Sequence, residues 1–285
     1  MNKMDLESIS TPIEMVEKSG HNYDDGLPLD MCKLPSKGLI YPEDHPLHMK
    51  SAVEFKAMTT HEENILATPA LIKQGTVLNV LLGSCLTDKS IDTETLLMGD
   101  KAALLISIRV SGFGEEYGAT TFCQSCKKSA HHTFNLGNAE LKPLGAEPLS
   151  PGVNLFDFKL PKSKKAVKFS LPTDGDDLEI AKMQENKKKA LTKSAGLRVG
   201  GLIDTSNSDR INRAIKEIDG DADPVKIKRF IERMTALDSR KLRAYMAKIE
   251  PDMTMKEEVS CVHCGETSLR FIPMGYEIFW PKDIE

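Results

Sequence analysis

Four of the six cysteines stand in two Cys-x-x-Cys pairs, Cys123 and Cys126 in CQSC and Cys261 and Cys264 in CVHC. A Cys-x-x-Cys in a tight turn presents two thiolates from one loop, and two such loops complete a tetrahedron around one ion. One pair alone is weak evidence; two matching pairs form a metal set. Zinc is the expected ion and its role structural, because four thiolates leave no position open for substrate or activated water. The same thiolates could take iron or an iron-sulfur cluster, and one pair alone could do redox chemistry, although neither lies between a strand and a helix. The gap between the pairs far exceeds the usual spacing of about 15–20 residues. Loop closure grows only logarithmically costlier with length, and a folded insertion can bring its own ends together. The glycine at 265, directly after CVHC, suits a positive φ that finishes the turn.

Other residues read more plainly. His131, His132 and His263 lie near the cysteines in sequence, but four thiolates already fill the tetrahedron, so each is expected at the surface. Cys32 and Cys85 read as small buried hydrophobes. The acidic runs DGDDLE (174–179) and DGDAD (219–223) lack a full calcium loop and read as turns and caps. SGFGEEYG follows a helical pattern and reads as a helix stop. No P-loop, dinucleotide turn, His-Glu-x-x-His or nucleophile elbow occurs, and no nucleophile, base and orienting group come together. No catalytic residue is assigned, and the chain reads as a non-enzyme.

The chain of 285 residues, 40% hydrophobic and 28% charged, has the composition of a globular protein. Its net charge of −4 offers phosphate polymers no overall attraction, which disfavours nucleic-acid binding. KKSAHH beside the first pair and Lys187, Lys188 and Lys189 are the features that would favour a zinc-ribbon nucleic-acid module instead. No segment has the length of apolar sequence that spans a bilayer, and the N-terminus lacks a secretory core, so the chain is expected in a reducing cytosol.

The elements that must position the cysteines predict an α+β fold. Residues 1–35 are expected as an extended N-terminal arm. Residues 36–140 are expected as a mainly helical core carrying the first knuckle. Within it, Ala52, Val53 and Phe55 suggest a strand, and Thr60 with Glu63 a capping box. Pro69 should break and restart the helix there. Further helices are expected over Val77–Cys85 and after Asp100, which would cap the latter. The insertion at 141–254 begins with a Pro/Gly-rich linker, continues with strands in VNLFDFKL and AVKFSLP joined by the basic turn PKSKK, and becomes helical. Asp223 with Pro224 should start one helix, and Asp238 another that carries Leu242, Tyr245, Met246 and Ile249 on one face. Residues 255–285 supply the second knuckle and a closing C-terminal strand, so that two knuckle hairpins form a split zinc ribbon.

LPSKGLIYP, AMTTHEENIL and LLMGDKAALLISIRVSGFGEEYGATTFCQSC resemble the T4-like bacteriophage baseplate protein family, the hub subunits and hub-assembly proteins of contractile tails. The resemblance covers residues 34–136 and returns at CVHC with its flanks; the arm and the insertion carry none. It implies a structural or assembly part in the baseplate hub, with other baseplate and tail proteins as partners in an oligomeric assembly. It implies a place in the virion tail, or in the host cytoplasm during assembly, and no catalysis. The competing readings are the nucleic-acid-binding zinc ribbon and an enzyme with an unfamiliar site, which would need an exchangeable metal position.

Overall fold

The structure is a computed structural model that describes residues 23–24, 26–193, 205–272 and 276–279. The chain enters with β1 (Tyr23–Asp24) and β2 (Leu27–Lys33), and β2 pairs antiparallel with both β1 and β3 (Ala52–Lys56). The arm expected over 1–35 is therefore corrected at its end. Its first 22 residues lie outside the described residues, and residues 27–33 are a strand that buries Cys32 beneath the sheet.

Residues 34–51 turn back over the buried carboxylate of Asp100. Ser36 donates to it from its backbone N–H (2.9 Å) and its hydroxyl (2.5 Å), and the Tyr41 hydroxyl donates at 2.7 Å. Four helices follow: α1 (Thr60–Leu66), α2 (Pro69–Gln74), α3 (Val77–Cys85) and α4 (Met98–Phe113). Pro69 does restart the helix. The capping box lies one residue earlier than expected, at Thr59 and Glu62, with Glu62 also taking the Ser84 hydroxyl and an ion pair from Lys56. Asp100 is not a cap: α4 starts at Met98, and Asp100 sits inside its first turn, serving the 34–51 loop.

The hairpin β4 (Glu116–Phe122) and β5 (Ser129–Asn135) leads to β6 (Glu140–Lys142), where the insertion opens. In the insertion β7 (Phe156–Lys159) and β8 (Ala166–Phe169) form the expected hairpin. α5 (Asp174–Lys193) and α6 (Ser206–Ala214) precede β9 (Ile215–Ile218), which adds to β8. α7 (Pro224–Glu232) is capped by Asp223, whose side chain accepts from the Val225 N–H. α8 (Ala236–Ile249) is capped by Thr235; Asp238, expected as its cap, is buried in the first turn and accepts from two backbone N–H groups of the β7–β8 turn. β10 (Asp252–Thr254) then returns antiparallel to β6, so the insertion leaves and rejoins the core through one strand pair. β11 (Lys256–Ser260) and β12 (Thr267–Phe271) make the last hairpin, and a 3-10 turn spans Tyr276–Phe279.

The fold is mixed α+β, with eight α-helices among the described residues and small antiparallel sheets of two or three strands. The stretch 36–140, expected to be mainly helical, also holds the strands β3, β4 and β5. One hydrophobic cluster runs from Phe55 and Leu104 to Phe169 and Leu242, so the insertion packs with the core rather than apart from it. α4 is its axis. Gly99 lies against the backbone of Pro251, where an added Cβ would meet the carbonyl oxygen at 2.1 Å; only glycine lets the insertion's return come this close.

Candidate metal centre

Cys123 directly follows the first hairpin's outward strand and Cys261 the second's, and the two turns are built alike. The Cys123 N–H donates to the Lys128 carbonyl and the Lys127 N–H to the Cys123 carbonyl. In the second turn Cys261 N–H donates to Glu266 and Gly265 N–H to Cys261. The residue after each second cysteine is left-handed, Lys127 at φ 59° and Gly265 at φ 73°.

This geometry brings all four sulfurs together. Cys123 and Cys264 Sγ lie 3.8 Å apart, Cys126 and Cys261 Sγ 3.7 Å apart, and all four within 4.8 Å of one another. Four thiolates about 2.3 Å from one tetrahedral ion would stand about 3.8 Å apart, so the set fits a single ion. A cluster that interposes several irons and sulfides would spread the sulfurs wider. Cys123 and Cys261 are buried, Cys126 is half-buried and Cys264 exposed.

The thiols are poised unequally. Backbone N–H groups, first that of Cys126, push Cys123 down to about 6, and the His263 N–H leads in lowering Cys261. The Glu266 N–H pulls Cys264 down too, but partial desolvation of its sulfur and the three neighbouring sulfurs outweigh it and push it up to about 11. Sulfurs this close together oppose one another's ionisation, the electrostatic setting that a divalent cation relieves.

The hairpins also touch directly. Arg270 on β12 donates from Nη1 to the Phe122 carbonyl (2.8 Å), and His263 Nε2 meets the Ser129 carbonyl at 3.2 Å. None of the three histidines belongs to the cysteine group, and His132 is half-buried rather than at the surface. His263 bridges the hairpins, His131 is exposed, and His132 packs against Phe134. Cys32 and Cys85 are buried far from the set in the sheet and α3, and burial pushes both thiols up to about 12, which makes them inert.

The acidic runs hold no shared site. Asp174 receives Asn79 and pairs with Lys101, Asp176 pairs with Arg213, and Asp219 and Asp221 pair with Lys165 and Lys226. The side chains of Lys187, Lys188 and Lys189 lie outside the described residues. Among the described residues no helix is long and apolar enough to cross a membrane.

A family profile described as T4 bacteriophage base plate protein matches residues 29–274. The match extends the resemblance noted in the sequence, since it starts at β2 and runs through the whole insertion as well as both hairpins. No curated protein and no solved structure matches. With the match spanning most of its length and both halves of the cysteine set inside it, the chain belongs to the T4 bacteriophage base plate protein family.

Proposed function

We propose that this protein is a structural or assembly component of the baseplate hub of a contractile tail, and that one structural zinc ion held by Cys123, Cys126, Cys261 and Cys264 staples its fold. Family membership implies a place in the virion tail, other phage tail proteins as partners, and a structural rather than a catalytic part. The observation that carries the metal reading is the meeting of sulfurs 135 residues apart, Cys126 and Cys261, at the separation one tetrahedral ion requires. Zinc is favoured because a closed four-thiolate tetrahedron is its common structural site, and its binding free energy adds directly to folding.

Elemental analysis and native mass of the purified chain, alone and mixed with tail proteins, test this reading. One zinc per chain with a defined complex is the expected result. Cys261→Ser should lose the metal and lower the melting temperature, since three thiolates cannot close the site. Unchanged metal content and stability in that variant would refute the shared centre. Iron, or zinc with an exchangeable ligand and no complex with a tail protein, would move the protein to a redox or enzymatic role.

A further inference from the structure

The cations of this acidic chain are unevenly spread. Residues 156–172 hold five lysines against one aspartate, and residues 224–250 hold eight lysines and arginines against three carboxylates. With a net charge of −4 overall, the two stretches contribute +9 and leave −13 for the remainder.

The fold brings both stretches to one place. The buried Asp238 carboxylate at the start of α8 accepts from the backbone N–H of Lys162 (2.7 Å) and Ser163 (3.0 Å), clamping the β7–β8 turn against that helix. On the other side of the turn, Lys165 lines a cavity of about 330 Å³ together with Lys226, Ile227 and Phe230 of α7. The turn therefore sits between the starts of the two helices.

Much of the charge here is not neutralised. Lys165 pairs with Asp219 and Lys226 with Asp221. Lys162 and Lys164 on the turn, Arg229 and Arg233 along α7 and just past its end, and Arg240 and Lys241 on α8 are exposed and form no ion pair among the described residues. Two exposed apolar side chains lie in the first turns of the same two helices. Val225 in the first turn of α7 is 70% exposed and Leu237 in the first turn of α8 is 47% exposed.

We propose that this face docks another protein of the tail, one that presents carboxylates around an apolar spot. Unpaired cations steer and orient an acidic partner, and exposed leucine and valine supply the dry contact that such an interface needs at its centre. A nucleic acid is the weaker fit. Its phosphates gain nothing from Leu237 and Val225, and a long polyanion reaching past the patch would meet a surface that is acidic on balance. The inference rests on the assembly reading above and adds the surface used and the chemistry of the neighbour.

The test uses the full chain and a four-site variant, K162E/K164E/R240E/K241E, with a milder Lys162→Gln, Arg240→Gln pair as a second probe. Circular dichroism and metal content establish that both are folded, as substitutions at exposed positions should allow. Binding is measured to a glutamate–tyrosine copolymer and to a duplex DNA of about 20 base pairs, and incorporation into tail particles is followed by complementation. The copolymer should bind the natural chain about ten-fold tighter than the duplex does, and the charge-reversed chain should lose about ten-fold and drop out of particles. Tighter binding of the duplex overturns the proposal in favour of a nucleic-acid partner. Equal binding or equal incorporation of both chains removes this surface but leaves the assembly reading intact. A natural chain that enters no particle overturns both.

Discussion

After each second cysteine the backbone must turn left-handed, and only one of the two positions is glycine. Lys127 holds φ 59° with a full side chain, while Gly265 holds φ 73° without one. A left-handed non-glycine residue costs about 1 kcal/mol, partly offset by the larger unfolded-state freedom of glycine. Lys127→Gly is therefore expected to stabilise the protein by up to about 1 kcal/mol in a denaturant titration. A loss of stability would show that the Lys127 side chain contributes a contact the turn depends on. The glycine was legible in the sequence; the strain at lysine was not, since nothing in CQSCK distinguishes it.

A second residue-scale case is Glu250, beside Asp252 in a cleft of about 470 Å³ between α6, α8 and the start of α4. Burial, followed by the Asp252 charge, pushes its carboxyl from 4.5 up to about 7. The folded chain thus holds this proton more tightly than the unfolded chain does. Its contribution to stability is complete below about 4.5 and is lost as the pH rises through about 7. Glu250→Gln should match the natural protein's melting temperature at acid pH and exceed it above neutrality. Parallel melting curves for the two proteins across that range would mean the carboxylate is solvated after all.

Two acidic residues were misread for a common reason. Asp100 and Asp238 sit where helix caps are expected, but each accepts from partners far away in sequence. Ser36 and Tyr41 lie 64 and 59 residues before Asp100, and Lys162 and Ser163 lie 76 and 75 before Asp238. Local rules detect an aspartate near a helix start; they are blind to a loop that arrives from another part of the chain. The cysteines were legible because each half of their arrangement is local, two thiols three positions apart in a turn.

Among the elements, the helices with clear punctuation were read well. Pro69, Pro224 and the apolar run from Val77 to Cys85 marked α2, α7 and α3. β2 was missed because DDGLPLD carries an aspartate pair, a glycine and a proline, which are turn signals, so the pairing of Leu29–Lys33 with β3 had to come from tertiary contact. The β6–β10 closure was equally hidden, because two three-residue strands carry too little periodicity to be seen. At this scale Arg109 is the joint. Buried on α4, it donates from Nε to the Ile278 carbonyl (2.6 Å), from Nη1 to Gly114 (2.7 Å) and from Nη2 to Glu116 (2.9 Å). One guanidinium thus ties helix, hairpin and C-terminal turn. Arg109→Lys keeps the charge but cannot serve three divergent acceptors, and is expected to cost about 3 kcal/mol in urea unfolding. A midpoint equal to that of the natural protein would show that water or a shifted backbone replaces the fork.

At the level of the whole molecule, the insertion joins the same hydrophobic cluster as the core, the basic surface lies on it, and its two ends meet at β6 and β10. The four sulfurs come from the two sides of that closure, Cys123 and Cys264 being 141 residues apart. This separation has a meaning in time. Synthesis at about 5–20 residues per second places roughly 7–28 seconds between the first and the last thiol. During that interval the β4–β5 hairpin stands beside the ribosome with two thiols and no counterpart, while everything between it and β11 is still being made. The second pair to emerge completes the set, so whatever ion the four share would be enclosed only after the whole insertion has been made.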